Sequence, residues 1–98
     1  MVSHMQVSYS QALSQSKAQI SLGLITASTA WRSGAGPITE LERDIALRAL
    51  TREAEEFGAQ GIVGVKFEIE KIDGPDQHGA ALRRVVATGE AVRFRVAA

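Results

Sequence analysis

At Phe57-Gly58 the hydrophobic period of this chain changes, and the change dictates a helix that ends directly before a strand. Residues 53–67 read EAEEFGAQGIVGVKF. Glycine enters the left-handed conformation after a last helical residue without a Cβ clash, so Gly58 is a stop that lets the final carbonyls find partners. From Gly61 onward Val63, Val65, Phe67 and Ile69 fall on one side and Gly64, Lys66, Glu68 and Glu70 on the other, the period of two that marks a half-buried strand. Gly64 leaves a bare spot on the polar side, where another backbone, a strand or a ligand can come close.

Upstream, the spacing predicts a helix over residues 38–57. Thr39 and Glu42 have the separation of a capping box. On a wheel of about 100° per residue, Ile38, Leu41, Ile45, Ala46, Leu47, Ala49, Leu50, Ala54 and Phe57 cover well over half the circumference and leave a narrow polar strip. A helix lying on its own sheet needs less apolar surface than that. The surplus points to a further contact, with another subunit as the economical partner. Trp31, Leu47, Leu50 and Phe57 are the residues expected at such an oligomer interface. Asp44 with Arg48, and Arg52 with Glu56, have the spacing of weak surface ion pairs.

Two further strands complete the fold. Ile20, Leu22 and Leu24 alternate with polar or small residues before Ile25 shifts the phase, which predicts a strand over 18–30 bulged near Gly23 to Ile25. Asp73-Gly74-Pro75-Asp76-Gln77-His78-Gly79 is turn chemistry, so an antiparallel hairpin follows. The last strand, over 82–96, changes phase between Val85, Ala87, Gly89, Ala91 and Val92, Phe94, Val96, with Gly89 as the expected bend. Symmetric pairing about the loop brings Glu70 to Arg83 or Arg84. The fold class is α+β: one small domain of β-α-β-β order, with an antiparallel sheet packed against one long helix.

Composition narrows the function. Ninety-eight residues suit one domain. Residues 1–5, MVSHM, read as a cloning remnant, residues 6–18 as an N-terminal segment rich in Ser and Gln, and 19–98 as the domain. Eleven basic and eleven acidic residues give no global field toward nucleic acid or membrane. Arg83, Arg84, Arg93 and Arg95 form an arginine stripe, but aromatic residues for base stacking are scarce, so a nucleic-acid partner is not expected. The chain has no cysteine, which removes disulfides, thiolate catalysis and the softest metal ligands. No stretch has the length and apolarity of a membrane span, and a cytoplasmic location is the expectation.

Motifs with chemistry are few. Gly34-Ala35-Gly36 ahead of a helix resembles a phosphate cradle, yet the capping box would occupy its donors and Glu40 and Glu42 would repel an anion. Asp73, Asp76 and His78 offer carboxylate and imidazole ligands for a hard or borderline divalent ion, in a spacing that matches no specific site. In an assembly of identical subunits, one weak ligand per subunit can converge on a symmetry axis. No nucleophile stands with a base and an orienting group, so the reading is non-enzymatic.

Two phrases carry a family resemblance. Residues 56–67, EFGAQGIVGVKF, and residues 86–92, VATGEAV, are similar to the helix-to-strand phrase and the later strand phrase of the YbjQ family, small bacterial proteins described as putative heavy-metal-binding domains. The resemblance covers roughly 20–96. It implies a compact β-α-β-β domain that assembles into a homo-oligomeric ring, with a pentamer expected. It also implies a metal, whereas soft ions want thiolates that this chain lacks. The functional reading is a structural or interaction module, itself its own partner and open to a protein partner. A divalent or heavy-metal-binding protein with ligands from several subunits is the alternative.

Overall fold

Thr39 begins the helix as predicted. In the computed structural model, which describes residues 5–10, 19–72 and 81–94, α1 spans Glu40–Glu56. The Thr39 hydroxyl accepts from the Glu42 backbone N–H at 3.1 Å, and Glu42 Oε1 accepts from the Thr39 N–H at 3.0 Å. This closes the capping box and satisfies donors that a helix start otherwise leaves free. At the other end Phe57 is the C-cap and Gly58 has φ +75°. The Gly58 N–H donates to Glu55 O and the Ala59 N–H to Ala54 O, both at 3.0 Å, the paired closure of a glycine-terminated helix. Thr39→Ala is expected to cost about 1 kcal/mol in a urea titration, with Thr39→Ser close to wild type.

The strands are β1 (Gln6–Val7), β2 (Gln19–Ser28), β3 (Arg32–Ser33), β4 (Gly61–Ile72) and β5 (Leu82–Phe94). Their order in the sheet is β1-β4-β5-β2, with β3 also paired to β5. Strands β4, β5 and β2 form the expected antiparallel sheet against the helix. The sheet as a whole is mixed, because β1 runs parallel to β4. The described part of the N-terminal segment, residues 6–10, runs along the sheet, and Val7 and even Met5, assigned by sequence to the leading remnant, pack against the core. That core joins Ala46, Leu50 and Ala54 of α1 to Ile25, Ile62, Val65, Val85, Ala87 and Ala91 of the sheet.

Four local expectations need correction. The β4 alternation is interrupted: the register runs from Val63↔Glu90 to Lys66↔Thr88, so β4 carries one residue more than β5 at this point. Gly64, at φ +64°, makes the bulge possible. Its consequence is that Ile62, rather than Val63, shares the helix-facing side with Val65 and Phe67. The bend assigned to Gly89 thus lies in the opposite strand. In β2 the irregularity falls between Ser21 and Gly23, slightly ahead of its expected place. Finally, the helix pairs Asp44–Arg48 and Arg52–Glu56 are not formed, and the ion pairs among the described residues reach Glu42 and Glu70 instead.

The bare spot at Gly64 is filled by backbone. The Gly64 N–H donates to Ser10 O at 2.6 Å, the Val65 N–H to Ser8 O at 3.2 Å, and the Ser8 N–H to Ile62 O at 2.9 Å. A strap from the N-terminal segment follows the β4 edge and satisfies amides that the bulge turns outward.

Candidate functional site

Arg83 stands in phase with Val85, Ala87, Gly89 and Ala91, all buried, and so its charge points under the helix. An inward cation requires a partner. Its guanidinium grips Glu42, with Nε donating to Oε2 at 3.1 Å and Nη2 to Oε1. Nη1 and Nη2 also donate to the carbonyls of Gly36, at 2.5 Å, and Pro37, at 3.1 Å. One arginine thus ties β5, the helix N-terminus and the glycine-rich connection together. The side chains are nearly closed to solvent, at 4% for Arg83 and 12% for Glu42. The Arg83 hydrogen bond, followed by that from the Thr39 backbone N–H, holds the Glu42 carboxyl down at about 2. The cradle expected to be closed to anions is thereby closed: a carboxylate already sits on the helix donors. Beside it lies a shallow depression of about 220 Å³, lined by Arg32, Ser33, Gly34, Thr39, Leu41 and Arg83 among others.

On the opposite face of the sheet, Glu70 and Arg84 are register partners and form an ion pair at 2.7 Å, resolving the choice between Arg83 and Arg84. The Arg84 guanidinium also lies 4.5 Å from the centre of the Trp31 ring. Of the arginine stripe, Arg83 and Arg84 are therefore engaged within the chain, Arg93 is exposed, and Arg95 falls outside the described residues.

The residues expected at an oligomer interface separate. Leu50 is fully buried in the chain's own core and presents no surface, which corrects its assignment. Leu47 and Trp31 are half-buried, and Phe57 is 58% exposed. The interface residues named from the sequence include none of Leu41, Ile45, Leu22 or Leu24, yet each is an exposed large apolar residue. The wheel contained the signal for Leu41 and Ile45, since both lie on the flank of its apolar arc. Along the outer helix face, Asp44, Leu47, Arg48, Thr51, Arg52 and Glu55 line an open depression of about 450 Å³.

Asp73, Asp76 and His78 lie outside the described residues. Among the described residues no three His, Cys, Asp or Glu side chains come together as a metal cluster, and the most buried carboxylate, Glu42, is taken by Arg83. With no thiolate anywhere in the sequence, the described donor set does not fit a soft heavy metal. No helix among the described residues is long and apolar enough to cross a membrane.

The sequence profile of the YbjQ family, described as "Putative heavy-metal-binding", matches residues 36–95. The chain belongs to this family. The match takes in the connection gripped by Arg83, the helix, β4 and β5, the parts that the arginine joins. A similar fold is found in the crystal structure, at 2.73 Å resolution, of a protein with unknown function from Pediococcus pentosaceus ATCC 25745, assigned to the DUF74 family. The TM-score is 0.65 over 93% of this chain and 98% of that one, at 15% sequence identity. That likeness extends beyond the YbjQ profile to the N-terminal part of the chain, and it speaks for the fold alone.

Proposed function

We propose that this YbjQ-family chain is a non-enzymatic, homo-oligomeric structural or interaction module, a ring of identical subunits in which a pentamer is expected. The observation that carries the reading is the apolar surface left over after the helix has docked: Leu41 is 62% exposed, Ile45 37% and Phe57 58%. Leu41 and Ile45 share one flank of the helix and Phe57 stands apart at its end; large apolar side chains left on an accessible surface mark contacts with other molecules. A symmetric assembly of one chain is the commonest way to cover them.

The family description favours a second reading, in which several subunits contribute hard or borderline ligands to one divalent ion. Asp73, Asp76 and His78 are the residues for that role. Native mass spectrometry of the purified protein, before and after zinc(II) is added, separates the two. The first reading expects a multiple of the 10.5 kDa subunit whose mass is unchanged by zinc. Zinc uptake in proportion to subunits, lost in His78→Ala while assembly persists, would establish the second. A single-subunit mass under all conditions would overturn the ring.

A further inference from the structure

We infer that the face of the sheet turned away from the helix binds a free apolar α-amino acid, a small zwitterion held between Lys66 and Glu90. The site lies within one chain and needs no second copy, so it stands or falls apart from the ring.

The bulge in β4 creates it. Starting from Val63↔Glu90, an uninterrupted ladder would set Val65 opposite Thr88 and turn Lys66 toward the helix. The extra residue sets Lys66 opposite Thr88 instead, and Val65 joins the core. Lys66 thereby lands on the same face as Val63 and Glu90. Strand β2 adds Leu24, the register partner of Glu90, and Thr26, the partner of Thr88. Two adjacent rows result, Leu24-Glu90-Val63 and Thr26-Thr88-Lys66, with the bare Gly64 between Val63 and Lys66. The strap takes the Gly64 N–H at the sheet edge, and the face itself stays open. These residues other than Thr26, together with Gly89, line a depression of about 450 Å³.

The charges in it are not spent on each other. The ion pairs among the described residues are Arg83–Glu42 and Arg84–Glu70, and neither the Lys66 ammonium nor the Glu90 carboxylate has a side-chain partner there. Glu70 and Arg84 meet because they stand directly opposite. Lys66 and Glu90 stand on a diagonal, about 7–8 Å in a regular ladder, with Gly64 between them.

Two opposite charges across a gap fit a molecule that carries both signs. An inorganic anion would face the Glu90 carboxylate, and a metal cation the Lys66 ammonium, so neither suits the site. A ligand carboxylate meets Lys66, and a ligand ammonium meets Glu90 and the Thr88 hydroxyl. Thr26 donates its hydroxyl proton to Ala87 O at 3.2 Å and lies 3.3 Å from Thr88 Oγ1. The Thr88 O–H therefore donates to Thr26, which leaves the Thr88 oxygen as an acceptor. Leu24, 79% exposed, and Val63 form the apolar part of the lining, which favours an apolar side chain on the ligand.

Nitrogen-15 NMR of the full chain, titrated with L-leucine, tests the site. Saturable shifts at the amides of Gly64, Lys66, Thr88 and Glu90 are expected. Leucinamide lacks the carboxylate and N-acetyl-leucine lacks the ammonium. Each should bind about tenfold more weakly, the worth of one hydrogen bond to a charged group. Lys66→Met and Glu90→Gln should weaken leucine by a similar factor, with the circular dichroism spectrum unchanged. Leucine bound by a protein of single-subunit mass would support the site while removing the ring. Shifts that never saturate, or equal binding of leucine and its two analogues to the wild type, would overturn the proposal, and that comparison holds even where a variant fails to fold.

Discussion

Arg83→Ala is expected to lower the unfolding free energy by about 3 kcal/mol, the lower part of the range for breaking a buried ion pair. Glu42 would remain under the sheet with a charge and only the Thr39 donors, and the carbonyls of Gly36 and Pro37 would lose their partners. For a small domain this is a large share of total stability. A urea midpoint measures it. The double variant Arg83→Met, Glu42→Leu should recover part of the loss, since no charge is then left unpaired, although the Thr39 N–H forfeits its acceptor. Equal losses in the single and double variants would refute the unpaired charge as the cause. The pair also sets an acid limb. Glu42 titrates at about 2 in the folded chain against an ordinary 4.5, so the folded state holds its carboxylate more tightly in the ionised form. The resulting stabilisation is complete above about 4.5 and is lost as the pH falls toward about 2. Arg83→Ala should flatten that part of the stability curve.

Gly89→Ala is expected to cost about 2 kcal/mol, a loss by overpacking rather than by an empty space. A Cβ at this position would stand 2.6 Å from Ile62 Cγ2 and 3.3 Å from both Val63 O and Val65 Cγ2. The Ile62 methyl cannot swing away, because it branches from the Cβ of a side chain that is fully buried. The β4 bulge presses these atoms onto β5, and the absent side chain is what admits it. Thermal unfolding reports the loss. A variant as stable as wild type would mean that the bulge relaxes without cost.

The contrast between Gly89 and Gly58 shows what the residues themselves disclosed. Gly58 acts through its own backbone, and a helix that stops on glycine was readable from neighbouring positions, as was the capping box of Thr39 and Glu42. The β4 and β5 strands were legible for the same reason, since alternation is local. At Gly89 the requirement comes from atoms in another strand. Reading β4 as an uninterrupted period of two placed Val63 with Val65, and only the pairing with β5 reveals the extra residue between them. Arg83 was harder still. Its partner is separated by a helix and a strand, and each of the two had a plausible local role, Glu42 in the cap and Arg83 beside Glu70. The inward phase of Arg83 was the overlooked sign. On the helix, the wheel showed more apolar surface than one sheet absorbs, but it could not rank Leu50, fully buried, against Leu41, exposed. Which of two apolar neighbours faces the sheet depends on the helix's rotation, which Arg43 and Phe67 help to set.

The strap on β4 also bears on the order in which the chain folds. Helix α1, β4 and β5 follow one another closely, so their contacts close short loops. The strap instead brings the start of the chain back to the β4 bulge across β2, β3 and α1, in parallel pairing held by a few backbone hydrogen bonds. Loop-closure entropy burdens such distant pairing as it does that of β2 with β5, and the strap's short run of bonds, against the long β2–β5 ladder, makes it the first to open. The N-terminal residues thus arrive last, as a latch on a domain whose core has already formed.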